Sequence, residues 1–148
     1  MDRFSDKYLP EEVLSKVLYK PNDDVPYLGD RTETVSFRKN CYDKARVEFH
    51  GHMVRLGSSR LRTFALKGVK CVTCGIIGQF FVKERHRSAN GGWEPYYHLN
   101  LYAIRSDGTE VLMTKDHIHP RSKKGRNHID NYQPMCQDCN QRKGDSLP

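Results

Sequence analysis

In the second half of the chain, apolar positions alternate with polar ones over short stretches, the period of half-buried strands. Arg46 to Leu56 alternates around His50-Gly51-His52 and predicts a hairpin. Gly75 to Arg85, Tyr96 to Arg105 and Glu110 to Ile118 predict three further strands, with a loop at Ser88-Ala89-Asn90-Gly91-Gly92. The last two strands meet at Ser106-Asp107-Gly108-Thr109, and Asp-Gly is a preferred centre for a two-residue hairpin turn. With that turn, Ser106 opposes Thr109, Asn100 opposes Lys115 and His98 opposes His117.

Helical spacing is confined to short segments. Pro10-Glu11-Glu12 opens a helix, because proline fits the first turn and acids complement its positive end. Val13, Leu14, Val17 and Leu18 share one face, and Pro21-Asn22-Asp23-Asp24 with Pro26 ends the helix. Residues 27–44 show no period, so 1–44 reads as an N-terminal extension and 45–148 as the domain. Ser58 or Ser59 caps a helix from Arg60 to Leu66, Gly68 ends it, and the chain then reaches Cys71. A final helix begins near Cys136. The class is α+β.

Composition narrows the chemistry. Only 36% of the 148 residues are hydrophobic, so the core is modest and a metal staple would support it. Lys and Arg number 25 against 18 Asp and Glu, and the net charge of +7 favours a polyanionic partner, above all nucleic acid. The longest uncharged apolar run, Cys71 to Val82, is broken by Gly75, Gly78 and Gln79, so no membrane span is expected. The N-terminus lacks an apolar signal region, and a cytoplasmic, reducing setting is expected. There, paired cysteines read as metal ligands rather than disulfides.

Two constellations carry chemistry. Cys71-x-x-Cys74 and Cys136-x-x-Cys139 offer four thiolates, the donor set of a closed structural zinc site; Cys41 is left as a free thiol. The second set is Asp116, His117 and Asn140, with Asn131 between. Asp116 and His117 are strand neighbours and point to opposite sides, so one can reach a metal while the other faces a water. Carboxylate and carboxamide oxygens suit magnesium or manganese. The predicted register lets His98 orient His117 or touch substrate, and His119, two residues on, points the same way and is expected to line the cleft.

Leu112 to Gly125, with Asp116-His117-Ile118-His119-Pro120 at its centre, resembles the first motif of the HNH endonucleases. Asn131-Tyr132-Gln133-Pro134-Met135-Cys136-x-x-Cys139-Asn140-x-x-Lys143-Gly144 resembles their second. The likeness is to the His-Asn-Asn form with a four-cysteine zinc frame, similar to many small bacteriophage HNH proteins. It implies a ββα-metal nuclease core, with His117 as general base, Asp116 and Asn140 on a catalytic Mg2+ or Mn2+, and Asn131 orienting the loop. It also implies hydrolysis of DNA to 5′-phosphate and 3′-hydroxyl ends, and action in a host cytoplasm if the chain is phage-encoded. Arg121, Lys123, Lys124, Arg126, Arg142 and Lys143 are the expected phosphate contacts. The stretch from Cys74 to Asp116 is longer than in compact members, and the predicted strands fill it as an insert. A zinc-stabilised module that binds without cleaving and an HNH-type RNase are the rival readings. Oligomeric state is left open, a homodimer included.

Overall fold

The structure, a computed structural model, describes residues 1–19 and 45–148. The predicted break at Pro21 to Pro26, the aperiodic stretch before residue 45 and Cys41 lie outside them. In chain order the elements are β1 (Asp2–Tyr8), α1 (Pro10–Leu14), β2 (Arg46–Phe49), β3 (His52–Arg55), α2 (Ser59–Lys67), β4 (Phe80–Arg85), β5 (Tyr97–Ile104), β6 (Glu110–His117), β7 (Tyr132–Cys136) and α3 (Gln137–Lys143). Among the described residues, no helix is long and apolar enough to cross a membrane.

Five strands lie side by side in the order β1-β4-β5-β3-β2. The β2–β3 turn places His50 at φ 46 and Gly51 at φ 85, the two positive values a tight hairpin turn needs. β3 then runs parallel to β5, pairing Val54 with Tyr97 and Arg55 with His98. Along β5, Leu99, Leu101 and Ala103 enter the core with Phe81, Val54, Phe49, Leu61 and Phe64, while His98, Asn100 and Tyr102 take the other face. α2 forms as its sequence predicts: the Ser58 side chain accepts from Leu61 N, and Gly68 ends the helix at φ 94.

The strand β1 has no counterpart in the sequence reading, because Phe4 and Tyr8 alone give no alternation. It forms by pairing with the edge of β4, Arg3 opposite Glu84 and Tyr8 opposite Phe81. The rings of Phe4, Tyr8 and Phe49 surround the fully buried Lys83 ammonium at 5.3 to 5.6 Å. Burial lowers the pKa of Lys83, and its proton donors reach His50 O at 2.9 Å and His52 Nδ1 at 3.0 Å. One buried cation thus ties the first strand to the β2–β3 turn.

The β5–β6 turn corrects the predicted register. Arg105 N donates to Thr109 O at 2.8 Å around a three-residue loop, Ser106 to Gly108. Asp107 Oδ1 captures Thr109 N at 3.0 Å, and Gly108 adopts φ 87, the left-handed position that a three-residue loop requires. The pairs are Ile104 with Glu110, Ala103 with Val111 and Tyr102 with Leu112, one residue away from the two-residue register. There the pairing with β5 ends. From Met113 onward β6 pairs instead with β7, Met113 opposite Cys136 through His117 opposite Tyr132. His98 therefore does not oppose His117, and Asn100 does not oppose Lys115.

Gly78 packs under β5, where a Cβ would lie 2.6 Å from Leu101 Cδ2, and Leu101 is fully buried. Gly78→Ala should cost about 1–3 kcal/mol of stability, the usual cost of overpacking a core, as read from urea unfolding of the zinc-loaded protein. Unchanged stability would show that this corner of the core is loosely packed.

Candidate functional site

The cysteine pairs come from two knuckles. In the first, Cys71 N donates to Ile76 O at 2.8 Å and Gly75 N to Cys71 O at 3.0 Å, with Gly75 at φ 80. In the second, Cys136 ends β7 and caps α3, its Sγ accepting from Cys139 N. Val72 N donates to Pro134 O at 3.1 Å and joins the first knuckle to β7. The four Sγ atoms all lie within 4.8 Å of one another, and the Cys74 and Cys136 sulfurs are 3.8 Å apart. Tetrahedral bonds of about 2.3 Å to zinc give sulfur separations of about 3.8 Å, so the set fits that ion. Cys71, Cys136 and Cys139 are buried, and Cys74 is exposed. Burial opposes ionisation of Cys71, yet the amides of Cys74, Cys136 and Thr73 bring its thiol down to about 6. Burial pushes the Cys136 thiol up to about 12. A cation that takes all four as thiolates removes this conflict.

The second site is a cleft of about 300 Å³ between the end of β6, the loop after it and the end of α3. Asp116, His117 and Asn140 all line it, as do Lys115, Arg121 and Lys143. Asp116 is only 6% exposed, and its Oδ2 accepts from Gln133 Nε2 at 3.0 Å. Lys143 Nζ lies 3.0 Å from the same oxygen and also donates to His117 O at 2.8 Å. The structure thus gives Lys143, expected on phosphate, an internal partner, because a buried carboxylate needs a nearby positive charge. Asn140 Nδ2 donates to Thr114 Oγ1 at 2.8 Å, and Thr114 Oγ1 donates to Met135 O at 2.7 Å. The amide group is thereby anchored by its nitrogen, and its oxygen is left for another partner.

His117 Nε2 lies 2.8 Å from Asn127 Oδ1, within hydrogen-bond distance, and its ring meets Tyr132 edge to face at 5.0 Å. Asn131 binds the loop backbone: Oδ1 accepts from His119 N at 2.9 Å, and Nδ2 donates to His119 O at 3.0 Å and Arg126 O at 2.8 Å. His119 turns its ring to Lys123 O at 2.7 Å and does not line the cleft. Arg121 lines the cleft, and Lys123, Lys124 and Arg126 are exposed on the same loop. Arg142 donates to Cys139 Sγ at 3.1 Å, so this expected phosphate contact serves the thiolates. His98 is held by Glu94 at 3.0 Å, its pKa lowered by burial, and it too is not among the residues lining the cleft.

Asn127 and Gln133 escape the sequence reading, which takes Lys143 as a phosphate contact and not as the partner of Asp116. Lys143 is three residues after Asn140 on one helix, a spacing that puts both on one face; that signal was available. Asn127 lies in an irregular loop and has no such signature.

One zinc per chain should co-purify, and Cys136→Ser should unfold the protein, since structural zinc sites contribute on the order of 10 kcal/mol. Elemental analysis with a thermal melt checks both; a folded protein without zinc would end the four-thiolate assignment.

No curated protein and no solved structure matches the chain. The HNH endonuclease family model matches residues 105–146, which run from the β5–β6 turn through α3. That segment contains the cleft residues Asp116, His117 and Asn140 together with the second cysteine pair. The matched segment is thus similar to an HNH endonuclease domain, and the four clustered cysteines are consistent with its zinc-binding variant.

Proposed function

We propose that the protein is a metal-dependent endonuclease that hydrolyses DNA phosphodiester bonds. In this reading β6, β7 and α3 are the ββα-metal core, 45–148 is the nuclease domain and 1–44 its extension. The observation that carries it is the single cleft that gathers a buried carboxylate, an imidazole and a carboxamide beside a loop of exposed cations.

Asp116 and Asn140 would hold one Mg2+ or Mn2+. The donor set fits, since both are oxygen donors of the hard kind, and Asp116 Oδ2 already faces a positive charge in Lys143 Nζ. Such an ion, when bound, stabilises charge on the phosphoryl oxygens and the leaving oxygen. His117 takes the proton from the attacking water as general base, and the products carry 5′ phosphate and 3′ hydroxyl. Arg121, Lys123, Lys124 and Arg126 engage backbone phosphates, which gives affinity without sequence choice. For Asp116 to serve a divalent ion, Lys143 has to release Oδ2, and a phosphate in the cleft offers the ammonium a new partner. Zinc at the four cysteines holds the frame and has no open position for substrate.

The Lys143–Asp116 pair favours one rival reading, a binding module whose cation site is filled by its own lysine. Lys143→Met separates the two. On the nuclease reading, removing the competing ammonium should tighten Mn2+ binding several-fold in titrations without DNA. No Mn2+ binding by either protein would support the module that does not cleave.

His117→Ala should leave folding, zinc content and DNA binding intact and lower cleavage by roughly two or more orders of magnitude. The assay uses plasmid, single-stranded DNA, branched DNA and RNA, each with magnesium, manganese or chelator. Wild-type rates in the folded mutant would remove His117 from the mechanism, and cleavage of RNA alone would move the substrate class.

A further inference from the structure

We propose that Asn127 is a positioning residue that sets which nitrogen of His117 carries the proton. The catalytic consequence rests on the nuclease reading above; the structural claim does not.

A carboxamide oxygen can only accept. Asn127 Oδ1 stands 2.8 Å from His117 Nε2, so in the neutral ring the proton is on Nε2 and the lone pair is on Nδ1. The edge-to-face contact with Tyr132, at 5.0 Å and 85°, limits rotation of the same ring. Two contacts of different kinds thus define one ring orientation and one tautomer. The opposite arrangement, an amide nitrogen donating to a bare Nε2, would put the proton on Nδ1 and take the free base away from that side of the ring.

Asn127 is not among the residues lining the cleft, so it acts through His117. Its own place is set by the loop beneath it. Asn131 Nδ2 holds Arg126 O, one residue before Asn127, and clamps both backbone groups of His119. Gly125 N donates to Pro120 O at 2.9 Å, and a Cβ on Gly125 would fall 1.7 Å from His119 O, so the loop closes only over glycine. A chain of contacts therefore runs from Asn131 through the 119–126 loop to Asn127 and then to His117. It explains how Asn131 governs the histidine without touching it. Asn127 is exposed, so replacing it removes little packing.

The test uses the full zinc-loaded chain without Mg2+ or Mn2+, at a pH where the ring is neutral. Long-range 1H–15N spectra of His117 should show a single Nε2–H form in the wild type. Asn127→Leu, similar in size with no acceptor, should give averaging between tautomers. Asn127→Asp, which keeps an acceptor, should retain the Nε2–H form. In cleavage assays Asn127→Leu should lose roughly ten- to a hundredfold in kcat, the usual cost of losing a partner that orients a histidine, with KM and zinc content unchanged. Asn127→Asp should recover most of the loss. A wild-type Nδ1–H form, or an Asn127→Leu protein with wild-type tautomer and kcat, would overturn the proposal. If the wild type cleaves nothing, the nuclease reading fails, and the spectra still decide the role of Asn127. Should Asn127→Leu fold poorly, the wild-type and Asn127→Asp spectra decide it.

Discussion

Four sulfurs within 4.8 Å of one another bring the end of β7 and the start of α3 to the loop that follows α2. The strands β6 and β7 and the helix α3 contain 8, 5 and 7 residues, too few to bury a core of their own. A seven-residue helix is marginal in water by itself. Here its first turn carries Cys139, and the residue that caps it is Cys136, so a sulfur of the four-cysteine cluster also starts the helix. The partner knuckle, Cys71 to Cys74, follows α2 and is bonded to β7 through Val72 and Pro134. One ion held by all four sulfurs would fix a strand end, a helix start and a distant loop at once.

A second constraint is the division of β6 between two partners. Its first residues extend the large sheet through β5, and its last five pair with β7. The changeover at Leu112 and Met113 turns Asp116 and His117 away from β5 and toward α3. α2 braces the divergence: Lys115 Nζ donates to Ser59 Oγ at 2.8 Å, and Lys67 Nζ reaches Tyr132 O. Asp116, exposed by only 6%, has its counter-charge 3.0 Å away in Lys143, from the far end of α3. The helix that starts at the second cysteine pair thus delivers both the amide of Asn140 and the ammonium that pairs with Asp116.

The sequence made legible what short-range chemistry decides. The cap at Ser58, the stop at Gly68, the turn at Gly51 and the cysteine knuckles are all local devices, and each formed where its residues called for it. Non-local pairing was less legible. β1 exists because β4 offers an edge, and nothing between Asp2 and Tyr8 announces it. The Asp107-Gly108 turn was found, but its loop length depends on whether Asp107 bonds Thr109 N, and a single residue of difference moved His98 out of register. Within the cleft Asp116, His117 and Asn140 stand together, while Gln133 and Asn127, which bond the first two, carry no sequence signature, and the pairing of Lys143 with Asp116 differs from its expected phosphate role.

The loop from His119 to Asn127 brings two features together. Arg121, Lys123, Lys124 and Arg126 lie on it, and so does the amide that holds His117. Its shape is set by rigid features: Lys124 at φ 67, Gly125 with no room for a side chain, and three hydrogen bonds from the Asn131 carboxamide. A segment so closed cannot shift its cations against a phosphate without moving Arg126 O and with it Asn127. The loop's cations and the amide beside the imidazole therefore share one hydrogen-bonded frame, to which Asn131 contributes three bonds.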